Sequence, residues 1–405
     1  MQARAHDSAM PEAGELRNLE FWDGVSYDDL GRCWVPTVGK VPRSTLHAVA
    51  RFKGVLFESL LQAKAQGDQA KEGRCLKLLT YVDRLLFAYG SAQRRQVNKQ
   101  RAGGSGQLQS LVTARLRRAW RGDWVGLYAE AMEVGRTSRK LGAGGRDPLK
   151  EDARTIDQLV SDGLLSRALA RARGVFKLDA SRAAVDAVRA LFPTGAPLPL
   201  GQIGAVDEEL RAQLTAAAVR SIRRFPRRSS PGPNGSRFEH WGCLTHDALA
   251  LQRVAEVLVC FLLGEFPEDA LRANLAGRLV ALRKPNGGVR PLAMGSVMRR
   301  LAARAACAVV KERVGEAVGR FQYGVGRQAG CELMHKCVTA LTDEDPSRVV
   351  IAFDASNAFG SMPRLKVLDG ARARLPELRL MGYAITASAG VDQGCPLSPL
   401  LFALG

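Results

Sequence analysis
The chain has 405 residues, enough for two or three domains, and 46% of them are hydrophobic, so buried cores are expected. Lys and Arg number 59 against 40 Asp and Glu, a net charge of +19 that favours a polyanionic partner through counterion release, although a merely soluble basic protein or basic tails carry the same excess. The longest apolar run, Val257 to Leu263, is too short to span a membrane, Met1 to Asn18 has no signal-peptide shape, and the eight scattered cysteines form no C-x-x-C pair. The expectation is an intracellular chain of the cytoplasm or nucleus, with reduced thiols, no zinc ribbon and no membrane partner.

Residues 1–200 read as a helical, basic N-terminal region. Ser44 is placed to cap a helix with Leu46, Val49, Phe52, Leu56 and Leu60 on one face. Cys75 to Tyr89 repeats the pattern with Leu78, Val82, Leu85 and Leu86. Gly-rich linkers are expected near residues 102–106 and 142–145. Between them, Ala114 to Trp124 is a basic helix with two tryptophans. Trp120 or Trp124 stacking on a base is one reading, and tryptophans in the core under a solvated basic face is the preferred one. Thr155 to Arg173 and Ser181 to Phe192 are two further amphipathic helices, closed by Pro193, Pro197 and Pro199.

The composition shifts near Ile203. A basic cluster holding Arg223, Arg224, Arg227 and Arg228 runs into Pro231-Gly232-Pro233-Asn234-Gly235, which is neither helix nor central strand. Exposed amides flanked by arginines suit phosphate oxygens; a plain surface turn is the alternative. Leu279 to Leu292 reads as a strand, a Gly-rich turn and a second strand, with Lys284 and Arg290 flanking the turn so that both can meet one anion such as a triphosphate. An ordinary hairpin with exposed cations is the alternative. Met298 to Val318 is a helix rich in alanine and arginine. Cys331, His335 and Cys337 lie close together on a helix, but they lack a fourth ligand and good spacing, so they read as ordinary buried residues.

Val349 to Phe353 is a short apolar, largely β-branched run that reads as a buried strand delivering Asp354 to its C-terminal edge. Phe359 then falls on the first turn of a helix, facing back over that carboxylate. The competing reading is that Asp354 or Asn357 caps the helix. A second stretch, Gly390 to Phe402, has a loop with Gln393 and Gly394 followed by a helix opened by prolines.

Taken together, the segments FDASNAF and QGCPLSPLLF resemble the first catalytic motif and the template- and nucleotide-gripping motif of reverse transcriptases. The Pro-Gly-Pro-Asn-Gly loop is similar to the P-G-x-D-G loop that opens the polymerase domain, with Asn234 in place of the usual acidic residue. The hairpin resembles the fingers motif K-P-x-G-x-x-R-P, and Tyr323 to Arg327 the segment before the catalytic strand. The motifs stand in family order from about residue 205 onward, and their wording is nearest to the non-LTR retrotransposon branch. The resemblance implies an α+β fold: partial fingers and palm of a right-hand polymerase over residues 205–405, preceded by the mostly α-helical region.

It implies two-metal nucleotidyl transfer with Mg²⁺ or Mn²⁺, using an RNA template, a DNA primer and deoxynucleoside triphosphates. Asp354 and the Ala355 carbonyl would be metal ligands. Lys284 and Arg290 would hold the phosphates, Phe359 would exclude a ribose 2′-hydroxyl, and Gln393 would contact the sugar. Pro231, Gly232, Asn234, Gly235, Arg227, Arg228, Ser398 and Pro399 would border template and primer. The family's paired Asp-Asp motif is expected after Phe402 and is not in the 405 residues, and the separation of Asp354 from Gln393 is shorter than is usual for the family, with Glu377 to Tyr383 reading as a splice. The polypeptide is therefore expected to be inactive in polymerisation. The alternative function is a non-catalytic nucleic-acid-binding remnant of a decayed retroelement.

Overall fold
A computed structural model of the chain describes residues 15–90, 104–142, 148–173, 181–191 and 206–374, except 227, 285, 286, 326 and 356, together with 399 and 403. Helix α1 (Asp29–Arg32) follows a 3-10 turn at Leu19–Gly24. The first long pair is α2 (Leu46–Gln66) and α3 (Gln69–Phe87). Asp68 caps α3 by accepting from the Lys71 amide at 2.9 Å, and Gly67 in the left-handed region (φ 71°) makes the tight reversal. The expected apolar face is found: Val49, Phe52, Leu56 and Leu60 of α2 and Leu78, Val82, Leu85 and Leu86 of α3 are all buried. Ser44, however, lies inside a 3-10 turn at Arg43–Thr45, and no side chain caps α2.

Helices α4 (Gly104–Trp120) and α5 (Trp124–Gly142) form the next pair, broken at Gly122 (φ 74°). The expected linker at 102–106 is thus shorter than read, because residues 104–106 open α4; of the second, Gly142 ends α5 and the rest lies outside the described residues. Both tryptophans are in the core, as preferred: Trp120 packs edge-on against Phe52, and Trp124 donates its indole N–H to the Arg17 carbonyl at 2.8 Å. The segment read as one helix from Thr155 to Arg173 is two, α6 (Pro148–Ser161) and α7 (Leu165–Ala172), because the chain turns at Gly163 in the left-handed region (φ 71°). Helix α8 (Arg182–Ala190) is capped by Ser181, whose hydroxyl accepts from the Ala184 amide at 3.2 Å.

The second half begins with α9 (Glu208–Arg223), the short α10 (Phe238–Gly242), α11 (Ala248–Leu262) and α12 (Glu268–Leu275). Strands β1 (Gly277–Arg283) and β2 (Val289–Gly295) form an antiparallel hairpin, and α13 (Val297–Ala317) follows close to its expected bounds, capped by Ser296. Helices α14 (Gly330–Glu344), α15 (Ala358–Ser361) and α16 (Arg364–Arg374) complete the described elements. The described chain is α+β in content, mostly helix with one two-stranded sheet.

One hydrophobic cluster runs from Leu19 to Ala371 and crosses the stretch near residue 200. Helix α11 lies against α2 and α9, and α9 against α13. The approach of α2 to α11 is close: a Cβ at Gly54 would stand 3.0 Å from Ala250 Cβ. No helix among the described residues is long and apolar enough to cross a membrane.

Candidate nucleotide and nucleic-acid interface
The hairpin is built as the sequence predicts. Leu282 pairs with Arg290 and Arg283 with Val289, and the ladder extends one step further, the Lys284 amide donating to the Gly288 carbonyl at 2.7 Å. Gly287 supplies the positive φ (81°) that the turn needs. Because side chains alternate along a strand, this register places Lys284 and Arg290 on the same face of the hairpin. Both are exposed, and among the described residues neither makes an ion pair. The opposite side of the hairpin is supported by α8, whose buried Ala184 and Val188 cluster with Ala281 and Val289.

The segment carrying Asp354 differs from expectation. Val349 to Ala355 is not a strand, and Val349, Val350, Ile351 and Phe353 are 83%, 60%, 69% and 93% exposed. A strand is stable only when its backbone groups pair, and the two strands among the described residues pair with each other. With no ladder to join, the run stays open and Asp354 is exposed with it. Asn357 holds the N-cap position of α15 in the left-handed region (φ 51°) without a side-chain capping bond; its amide donates instead to the Leu191 carbonyl just past α8, at 2.9 Å. Phe359 is on the first turn of α15, as read, and packs at the edge of the main cluster. The α8 helix therefore touches both the hairpin and the segment that follows Asp354.

The Pro231–Gly235 loop also departs from expectation. Its amides are not an exposed phosphate cradle, since Pro231, Gly232, Asn234 and Gly235 are buried. The Asn234 side-chain amide donates to the Thr80 carbonyl at 3.2 Å, Thr37 donates to the Gly235 carbonyl at 2.7 Å, and Arg84 to the Pro233 carbonyl at 3.1 Å. Each partner is far away in sequence, so the loop is a junction between the N-terminal helices and the hairpin region. A Cβ on Gly232 would meet the Gly295 carbonyl and Ser296 Cα at 2.7 Å.

Beneath this loop lies a buried polar cluster that sequence reading passed over. Lys53 Nζ is 2.5 Å from Asp83 Oδ1, with both side chains nearly inaccessible (1% and 2%). Asp83 Oδ2 accepts from the Ser236 hydroxyl and from Trp241 Nε1 (3.1 Å), while Lys53 donates to the His240 carbonyl at 3.0 Å. Burial pushes the Asp83 carboxyl up, but Lys53, His240 and the hydrogen bonds outweigh it and hold it below the usual carboxylate range. His240 places one ring nitrogen against the Val38 carbonyl, 2.7 Å away, and the other accepts from the Arg237 amide at 3.2 Å. A carbonyl only accepts, so Nε2 carries the proton and the ring is neutral; burial lowers its pKa to about 4. The signal was available: Lys53 stands four residues from Val49 and four from Phe57, on the stripe that defines the buried face of α2.

A cleft of about 1180 Å³ opens beside the base of the hairpin, with Tyr27, Trp34, Pro233, Asp269 and Arg278 among its walls. Arg278 stacks over Trp34 at 4.7 Å, but Asp23, Asp28 and Asp269 make the lining mixed in charge.

Of the other expected site residues, Arg228 is exposed and ion-paired with Asp162, and Pro399 is exposed and helical. Arg227, Gln393 and Ser398 lie outside the described residues, as does the Glu377–Tyr383 stretch. Cys331 and Cys337 are exposed rather than buried, because α14 lies on the surface; the Tyr323 hydroxyl donates to Cys337 Sγ at 3.5 Å. Mg²⁺ asks for six oxygens in near-octahedral array. Among the described residues no group of three or more His, Cys, Asp or Glu converges, so Asp354 and the Ala355 carbonyl are at most part of a metal site.

The comparisons with known proteins bear on this arrangement, a helical body carrying a cationic hairpin. No family model matches the chain. It is 26% identical over 237 residues to the retrotransposable element SLACS 132 kDa protein of Trypanosoma brucei gambiense, a match that takes in 53% of this chain and 19% of that protein. The similarity points to a retroelement origin, and the matched part is about a fifth of the relative's length.

Proposed function
We propose that the chain is a reverse transcriptase domain of non-LTR retroelement type, an RNA-directed DNA polymerase module. The observation that carries the reading is the hairpin, which forms in the register that sets Lys284 and Arg290 on one exposed face, while its other face packs on α8, itself joined to the segment after Asp354. A planar guanidinium fork and a lysine point charge on one face suit the oxygens of a deoxynucleoside triphosphate. Asp354 and the Ala355 carbonyl would contribute oxygens to Mg²⁺ or Mn²⁺, which supplies neutralising charge on the phosphates. Phe359 would wall the sugar, Gln393 would contact it, and Arg227, Ser398 and Pro399 would border template and primer. The buried Pro231, Gly232, Asn234 and Gly235 would act by holding the fingers hairpin against the helical body. The retroelement relative supports this reading. The open, unpaired run around Asp354 favours a second reading, a nucleic-acid-binding remnant without catalysis.

Titration of a fluorescent deoxynucleoside triphosphate with Mn²⁺ present tests the proposal. Charge-assisted contacts are worth about 1.5–3 kcal/mol each, so Lys284→Gln and Arg290→Gln should each weaken binding at least tenfold. Equal affinity in the wild type and both variants would refute the assignment.

A further inference from the structure
A second cationic surface among the described residues lies at the seam between α9 and α13. Arg220, Arg223 and Arg224 are exposed at the C-terminal end of α9. Across the seam, Arg304 of α13 donates to the Arg224 carbonyl at 3.0 Å, which fixes its guanidinium beside them. One turn earlier, Arg300 donates to the Ser230 carbonyl at 3.0 Å and stacks over the Phe238 ring at 4.5 Å. Lys311 is exposed on the same face, since positions 300, 304 and 311 recur at helical spacing. Among the described residues Arg220, Arg223, Arg224, Arg300, Arg304 and Lys311 form no ion pair. Glu239 is the carboxylate that acts on Arg300, and its Oε1 accepts from the Arg228 amide.

Ordinary helix electrostatics explains only part of this. Cations are favoured at a helix C-terminus, which suits Arg220 and Arg223. Arg300 stands in the first turn of α13, where the macrodipole disfavours it. Arg300 is also half-buried, its Nε has no hydrogen-bond partner, and burial lowers its pKa to about 10. A row of unpaired cations pinned by backbone carbonyls and an aromatic ring, partly on the wrong end of a helix, is stabilised when an anion is brought to it.

We propose that the α9–α13 seam is a track for the phosphodiester backbone of RNA, with Arg223, Arg224, Arg300 and Arg304 as its phosphate contacts. The proposal rests on the reading of the chain as an RNA-handling module. It also shifts that role away from Arg228, whose guanidinium is held by Asp162.

The test is binding of the full chain to a labelled single-stranded RNA from 50 to 300 mM salt. Variants are Arg223→Gln/Arg224→Gln and, separately, Arg304→Gln, with Arg43→Gln/Arg51→Gln as an equal-charge control on exposed positions near the start of α2. Each lost phosphate contact lowers the slope of log K against log salt by about 0.7 for a single strand, so the double variant should bind about 25-fold more weakly at 0.1 M salt, and Arg304→Gln about fivefold. The control should keep the wild-type slope. Circular dichroism confirms that each variant is folded, and the exposed double variant decides if Arg304→Gln is not. If wild type binds RNA and the double variant matches the control, the track is wrong while the RNA reading stands. If wild type binds no RNA at any salt, both fail. Loss confined to a DNA duplex probe overturns the assignment to RNA.

Discussion
Replacing Lys53 by Met should be among the most damaging single substitutions in the helical body. The methionine fills most of the same space, so the loss is electrostatic. Asp83 would remain an anion with 2% of its side chain exposed, with the hydrogen bonds from Ser236 and Trp241 left to it. Solvent cannot screen a pair this deep, so the discount that applies to surface salt bridges does not apply here. Removing one partner of a buried pair costs about 3–5 kcal/mol, a large part of the roughly 5–15 kcal/mol that holds a domain folded. The His240 carbonyl also loses its Lys53 donor and keeps the Cys243 thiol. In the double variant Lys53→Met/Asp83→Asn the stranded charge is gone while an acceptor for Trp241 remains, so about 2 kcal/mol should return. Urea unfolding at pH 7.5, followed by far-UV circular dichroism, reads both. A Lys53→Met midpoint equal to wild type, or a double variant no more stable than the single, would refute the buried-pair argument.

The remaining predictions concern neighbouring groups. His240 has a folded pKa of about 4 against 6.5 unfolded, so its contribution is complete above pH 6.5 and is lost as pH falls towards 4. That window is worth about 3 kcal/mol; the slope of unfolding midpoint against pH should flatten in His240→Phe, and an unchanged slope would contradict the assignment. Gly232→Ala should cost about 1–3 kcal/mol by pressing a methyl into the Gly295–Ser296 backbone, visible as a lower melting temperature. Phe359→Val should narrow the preference for deoxy- over ribonucleoside triphosphate in the titration, and an unchanged ratio would remove Phe359 from the sugar wall.

What could be read from the sequence was whatever local pattern decides. The apolar stripes of α2 and α3 and the hairpin turn around Gly287 depend on neighbours within a few residues, and they stand where the periodicity places them. The Pro231–Gly235 loop was misjudged because its partners Thr37, Thr80 and Arg84 are about 150 to 200 residues away in sequence. Val349 to Phe353 shows the converse: its composition is that of a buried strand, yet pairing is a tertiary property that composition does not supply. The Lys53–Asp83 pair was within reach, since a charge on a buried stripe demands a partner, but naming that partner needed the packing of α2 on α3.

The central proposal is that this chain seats a nucleotide on the hairpin, with the segment from Asp354 to Phe359 completing the site. Photo-crosslinking with an azido-deoxyadenosine triphosphate, followed by mass spectrometry of the labelled peptides, tests it most directly. The account predicts label on the β1–β2 turn around Lys284 to Arg290 and on residues 354–359, displaced by excess unlabelled deoxynucleotide. Displaceable label concentrated elsewhere, such as in the cleft lined by Trp34 and Arg278, with the hairpin peptide unmodified, would contradict it.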